Sequence, residues 1–348
     1  MKKLATSFIV LLILLVSCNQ TKTKVKTKSE PVSKPQTSET LTSAQNLFAP
    51  LPETAENKNN PVTAEKVALG KALYFDKILS KNQTESCNTC HNLDTYGVDN
   101  KPVSPGDKKG VFGNRNSPTT LNAAFHIAQF WDGREPDVEA QAGGPVLNPV
   151  EMGMPNEQEV EKRLSNSKLY KEMFAKAFPN DKNPVNYENM KKAIGAFERK
   201  LVTPSRFDAF LKGDESALSE DEKKGLDLFI SKGCASCHSG ALLGGNSFQK
   251  FGVHANYWEY THSPKIDNGR YDITKNEADK YVFKVPSLRN IEKTYPYFHD
   301  GSVKDLNEAV KIMGKVELNQ DLSDEEVASI VTFLKSLTGK VPEQLKKS

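Results

Sequence analysis

The chain has 348 residues and a formal net charge of +3, and that charge is unevenly spread. Residues 1–42 hold seven lysines against two acidic residues, which leaves 40 basic and 42 acidic residues for the remainder. A body that is near neutral and slightly acidic lacks the basic face that phosphate binding needs, so nucleic acid is excluded as a partner; its length suits two domains of ordinary size.

The chain opens with Met1-Lys2-Lys3 and an apolar run over residues 4–16. The run is too short to span a bilayer and small residues stand before a cleavage point, so residues 1–18 read as a secretory signal. Its ending, Leu15-Val16-Ser17-Cys18, resembles a lipobox, in which the signal is removed and the new N-terminal cysteine carries lipid. The alternative is an ordinary signal peptide cleaved nearby. Either way the mature chain is expected outside the cytoplasm, in the periplasm, and the lipobox adds an anchor in membrane lipid through Cys18. Residues 19–45, largely Lys, Thr, Ser and Pro, have almost nothing to bury and are expected to form a disordered tether.

The first motif follows in residues 86–92, SCNTCHN, which sets Cys87, Cys90 and His91 in the pattern Cys-x-x-Cys-His. Residues 93–118 are rich in Gly, Pro, Asn and Asp and read as a long loop. Residues 156–178 read as a helix, and so do 189–201, where Met190, Ile194, Phe197 and Leu201 share one side. A boundary near Thr203-Pro204 then divides the folded part into domains 46–204 and 205–348. In the second domain Ser219 and Glu222 form a capping box, Leu226, Phe229 and Ile230 recur at helical spacing, and the helix runs into GCASCHSG with Cys234, Cys237 and His238. A second long loop covers 240–286. In the last helix Ser323 and Glu326 cap, Val327, Ile330, Val331, Leu334 and Leu337 form one apolar face, and Gly339 stops it. No convincing alternating strand is legible.

On a helical turn, cysteines three apart can both reach the vinyl groups on one edge of a porphyrin, and the next residue points its imidazole at the iron. His91 and His238 then become the proximal ligands of two covalently bound haem c groups. A zinc site would need two neighbouring thiolate pairs, and these lie far apart in the chain. A thioredoxin-like pair would need a βαβ setting, and a structural disulfide across each pair would leave both histidines unexplained. The expected fold is therefore mostly α, with two cytochrome c-like domains, each wrapping one haem c, joined by long loops; a chain that covers a large flat cofactor needs few packed elements of its own. After His238 the one methionine is Met313, a candidate sixth ligand that equally suits packing on a helix face; His254, His262 and His299 compete for the same iron.

With these residues in hand the chain resembles the bacterial dihaem cytochrome c peroxidases, in the broader group that includes the dihaem oxidase of methylamine utilisation. The likeness runs through LGKALYFD, SCNTCHNL, GNRNSPT, AQFWDGR, NPVEM, GCASCHSG, VPSLRNI and TYPYFHDGSVKDLNEAVKIMG. It implies that the haem of His91 is the peroxidatic one and that of His238 receives electrons, with Met313 its axial methionine. Methylamine-linked oxidases carry a tyrosine in that role, so Met313 points toward a peroxidase.

The resemblance also makes Glu151 the distal carboxylate that moves a proton during peroxide cleavage; read alone, a glutamate is ordinarily a solvated surface charge. Gln141 matches a distal glutamine, and Trp131 the tryptophan between the haems, which can equally be a core residue. Asn116, Thr294 and Pro296 match the ligands of a calcium ion at the domain junction, Thr294 and Pro296 through backbone carbonyls. The activity implied is reduction of hydrogen peroxide to water with electrons from a small cytochrome c or a blue-copper protein, by a family that is commonly a homodimer. The alternatives are a dihaem electron carrier and an oxidase acting on another protein.

One departure stands out: many members carry a histidine in the loop before RNSPT that caps the peroxidatic iron at rest, and residues 98–120 here contain none. Asp107 stands about where it would be, beside Lys108 and Lys109, which are expected to keep it solvated. His126, the nearest other histidine, reads as a partly buried structural residue. The first haem is therefore expected to be open or water-bound even when oxidised.

Overall fold

The computed structural model describes residues 38–263 and 265–347, so the signal, Cys18 and the tether up to residue 37 lie outside the described residues. Two helix crossings organise the rest. In the N-terminal half Thr63 caps the helix Ala64–Phe75, its hydroxyl accepting from the Lys66 amide, and this helix packs against Tyr187–Glu198. Leu69, Leu73, Met190 and Ile194 are buried between them. The helices approach so closely that a Cβ on Gly70 would lie 1.9 Å from the Ala193 carbonyl oxygen. In the C-terminal half Glu220–Ser231 crosses Asp324–Lys335, and a Cβ on Gly225 would lie 2.1 Å from the Ser329 oxygen. Both of these C-terminal helices start with the expected capping boxes, Ser219 with Glu222 and Ser323 with Glu326. Leu226, Phe229, Ile330, Phe333 and Leu334 fill the crossing, each worth roughly 1.5–3 kcal/mol for its removal from water.

Several expectations change. The single helix read over 156–178 is two, Glu157–Ser165 and Lys168–Ala177, because the Ser167 hydroxyl accepts from the Tyr170 amide and starts a second helix. The last helix stops at Lys335, before Gly339, although Leu337 remains fully buried. Within the expected loop 240–286 two strands, Phe248–Lys250 and Val282–Lys284, pair antiparallel with Phe248 opposite Lys284; three residues are too few for an alternating pattern to register.

The tether and the first domain also end differently from the sequence reading. Ser38 caps a helix Glu39–Leu47, and Leu41, Ala44 and Phe48 are buried against Phe207 and Phe229 of the C-terminal half. The Gln45 amide donates to the Leu211 carbonyl at 2.9 Å and the Leu51 N–H to Asp208 Oδ1 at 2.6 Å. Residues 38–45, expected in a tether, are thus ordered, and residues 46–51, expected in the first domain, pack on the second. The other end of the chain crosses back: Val341 joins Tyr74, Leu93, Leu121, Phe197 and Leu201 of the N-terminal half. At the expected boundary Thr203 is fully buried, its hydroxyl accepting from Asn122 at 2.8 Å and from Asn290 at 2.9 Å, so the junction is clamped from both sides. Arg115 reinforces it with a two-pronged contact to Asp267, 2.7 and 2.8 Å, and a third bond to Asp132 at 2.6 Å.

Candidate functional site

The first motif is a single helical turn, Cys87–Cys90, begun by a capping box between Ser86 and Thr89. His91 leaves that turn, and its ring Nδ1 lies 2.9 Å from the Pro118 carbonyl, while the Tyr74 hydroxyl donates to the His91 carbonyl at 2.6 Å. The second motif repeats the device on a tighter turn, Cys234–Ser236, where His238 Nδ1 lies 3.0 Å from the Leu243 carbonyl. A carbonyl can only accept, so both Nδ1 atoms carry the proton and both Nε2 atoms keep a lone pair for a metal.

The four thiols are free, and burial dominates the chemistry of Cys87, Cys90 and Cys234. It pushes Cys87 up to about 12 and Cys234 up to about 11; Cys90 rises to about 12 through burial, with the Ser104 hydroxyl opposing and Asp99, Glu85 and Glu151 adding to the rise. Such thiols are neutral, unlike the thiolates of a redox pair or a metal cluster. Among the described residues no group of three or more His, Cys, Asp or Glu side chains is placed to hold a metal ion. Neutral thiols beside a histidine with a free Nε2 fit thioether attachment of haem.

Beside the second motif lies a cavity of about 240 Å³ whose wall includes Cys234, Cys237, His238 and Met313. Met313 comes from the helix Leu306–Leu318. His254 and His262 are exposed, whereas His299 is buried on the same wall, stacked on Phe283 with centroids 4.4 Å apart. Trp131 lines the cavity too, its indole N–H donating to the Asn116 carbonyl at 2.9 Å and its own carbonyl accepting from the Lys284 N–H at 2.8 Å.

Asn116, Thr294 and Pro296 stand on that wall as well. The Asn116 amide nitrogen donates to the Lys101 and Pro102 carbonyls, and among the described residues nothing donates to its Oδ1 or to the carbonyls of Thr294 and Pro296. Three unengaged oxygens suit a hard cation.

Near the first motif, Glu151 follows the helix Val138–Leu147, which carries Gln141. Burial raises the Glu151 pKa, and the Arg134 charge and Asn148 oppose it. Arg134 is itself held by Asp132 at 3.0 Å and lies over the Phe130 ring at 3.4 Å. Gln141 is half-buried, and among the described residues its side chain has no hydrogen-bond partner.

Asp107 is not solvated: it is buried, and its carboxylate accepts from the Asn82 amide at 2.8 Å and the Thr84 hydroxyl at 2.6 Å, while its own N–H donates to the Glu151 carbonyl at 2.7 Å. His126 lines the cavity beside the second motif, with Nδ1 3.0 Å from Lys284 Nζ. Sequence reasoning gave no part to Arg134, Ser104 or Lys284. Arg134 lay inside the quoted AQFWDGR; the other two had no signal, since only the fold brings them to the sites.

Two Cys-x-x-Cys-His sites in one mostly helical body define a c-type cytochrome with two haem sites. The family model for di-haem cytochrome c peroxidase matches residues 64–216 and that for cytochrome c matches 222–338. Cytochrome c551 peroxidase of Pseudomonas aeruginosa is 46% identical over 303 residues, 86% of each chain, and that of Nitrosomonas europaea 48% over 284 residues, 81% of this chain and 83% of the relative. Methylamine utilization protein MauG of Methylorubrum extorquens is 36% identical over 296 residues, 80% of each. Among solved structures, a MauG-like protein associated with microbial copper homeostasis superposes with TM-score 0.75 at 31% identity, covering 86% of this chain and 95% of its own. The chain belongs to the di-haem cytochrome c peroxidase family: it is a peroxidase, an oxidoreductase, and its two cytochrome c domains imply two haem c groups.

Proposed function

We propose that this protein reduces hydrogen peroxide to water in the periplasm, held to a membrane by lipid on Cys18, with electrons from a small cytochrome c or a blue-copper protein. The observation that carries the reading is the unlike pair of sites: an ionisable carboxyl, Glu151, whose charge reaches Cys90, and a thioether, Met313, on one wall with His238. His91 and His238 would hold the two haems through Nε2, and Met313 would offer its thioether sulfur to the second. Bound there, the haems supply an iron at which the peroxide O–O bond breaks and a second iron that stores one electron.

Each peroxide needs two electrons and two protons to leave as two waters. Glu151 takes the proton from the peroxide oxygen nearer the site onto a carboxylate oxygen and returns it to the departing oxygen, and the pKa that burial raises lets it hold that proton between the two events. Gln141 orients the bound peroxide. Trp131 stands between the halves as the aromatic bridge for electrons. Asn116 Oδ1 and the Thr294 and Pro296 carbonyls hold a calcium ion that fixes the halves relative to one another, with waters completing its shell. The working unit is a homodimer.

The first site is open at rest, a reading supported by the other engagements of Asp107 and His126. The test uses the purified dihaem protein. Reduced, it is expected to bind carbon monoxide at one iron; fully oxidised, it is expected to change spectrum promptly on mixing with peroxide and to turn over without a lag. Resistance to carbon monoxide and peroxide would make it an electron carrier. A lag abolished by pre-reduction would show a capped first site.

A further inference from the structure

The cavity beside the second motif carries two side chains that peroxide reduction leaves without a task. Lys284 ends the strand Val282–Lys284, is 6% exposed, and among the described residues has no carboxylate partner. Its side-chain contact is with His126, Nζ to Nδ1 at 3.0 Å. An ammonium can only donate, so Nδ1 accepts and the proton of the neutral imidazole sits on Nε2. Burial, then the Lys284 charge, keep His126 neutral by holding its pKa well below the ordinary value. That Nε2–H is buried and finds no acceptor among the described residues.

A cation without a counter-ion and an N–H without an acceptor, among the described residues, therefore line one cavity. A buried ammonium without a counter-ion is costly, and so is a buried N–H without an acceptor, which makes the pair a built site for an anion. The group that the cavity must take, attached through Cys234 and Cys237, brings its own anions: haem carries two carboxylates on the edge opposite its thioether links. We propose that Lys284 and His126 together hold a carboxylate of the haem attached at Cys234 and Cys237. The inference rests on haem attachment at the second motif and extends it to this chain's own residues. His126 comes from the N-terminal half and Lys284 from the C-terminal half, so the carboxylate is shared between them. The backbone of Lys284 is tied to that of Trp131, its N–H donating to the Trp131 carbonyl at 2.8 Å. A cation here also favours the reduced state of the second haem.

The test compares Lys284→Met, Lys284→Arg and His126→Leu with the natural holoprotein. Intact mass counts covalent haems, resonance Raman reads the carboxylate bending band of the haems, and a redox titration separates the two potentials. Lys284→Met is expected to shift the bending band and lower the higher potential with the lower one unmoved; Lys284→Arg restores both, and His126→Leu shifts the band in the same direction by less. With two haems attached, an unmoved band in Lys284→Met overturns the proposal. Should that variant fail to accumulate, an unmoved band in His126→Leu overturns it instead. A natural protein short of one haem would overturn the attachment reading together with the clamp, an outcome the mass alone distinguishes.

Discussion

Around Cys87 and Cys90 the neighbouring ionisable side chains are carboxyls, Glu198 at the first thiol and Asp99, Glu85 and Glu151 at the second; around Cys234 it is Lys232, and the cavity wall holds Lys250, Lys284 and Glu317. The histidines differ in the same spirit. His91 is oriented by a carbonyl 27 residues away in the loop that ends at Pro118, His238 by one only five residues on, in its own turn. Under the proposed function the difference has a use: carboxyls and a long-range loop suit proton chemistry on a ligand, whereas a lysine and a self-contained turn suit holding an electron. The motif attaches the cofactor, and its surroundings decide what that cofactor does.

The contrast breaks most completely if the carboxyl at the first site is silenced. Glu151→Gln keeps the shape and cannot carry a proton, so peroxide turnover is expected to fall by about 10²–10⁴-fold with both haem spectra retained. Steady-state rates with a reduced cytochrome c check this; a variant near the natural rate removes Glu151 from the mechanism. Next in size is Met313→His, which exchanges a thioether that favours ferrous iron for an imidazole that favours ferric. The higher of the two potentials is expected to drop and turnover to slow while haem content holds, and an unmoved higher potential would make Met313 a packing residue.

The dependence of the first site on its loop is tested by Gly106→Ala. A Cβ there would lie 2.3 Å from the Val150 carbonyl oxygen, next to Glu151, and forcing that contact is expected to cost about 1–3 kcal/mol of stability. Activity should fall with it while the potential of the second haem stays put, as denaturant unfolding and a redox titration would show together. The smallest effect concerns Glu198, which burial, then the Glu139 charge, raise to about 8 against Arg199. Unfolded, this carboxyl loses its proton in the ordinary glutamate range, so between that range and about 8 the folded state holds the extra proton and stability falls as pH rises. Glu198→Gln removes the slope: its thermal midpoint should exceed the natural one above that window and match it below.

Local chemistry was readable from the sequence because each signal needs only a few neighbouring residues. Ser219 with Glu222, Ser323 with Glu326, and the two Cys-x-x-Cys-His turns are complete within six residues or fewer. What the sequence hid was made of partners far apart. His126 reads as a lone histidine until the fold brings Lys284 to it across 158 residues, and Asp107 reads as a solvated acid until Asn82 and Thr84, 25 and 23 residues earlier, fold over it. The helix Glu39–Leu47 looks like tether because its Thr, Ser and Gln outnumber its apolar residues, and Leu41 and Ala44 gain meaning only from the pocket that receives them.

That same helix sets an order of events in folding. Ser38, Gln45 and Leu51 are made before their partners Glu215, Leu211 and Asp208, which come 177, 166 and 157 residues later, and Val341, which closes the N-terminal half, is made after all of these. Contacts of such separation carry the full entropy of loop closure before they return any stability, which slows the search for the native topology. Neither half can bury its last strap until the other has been made.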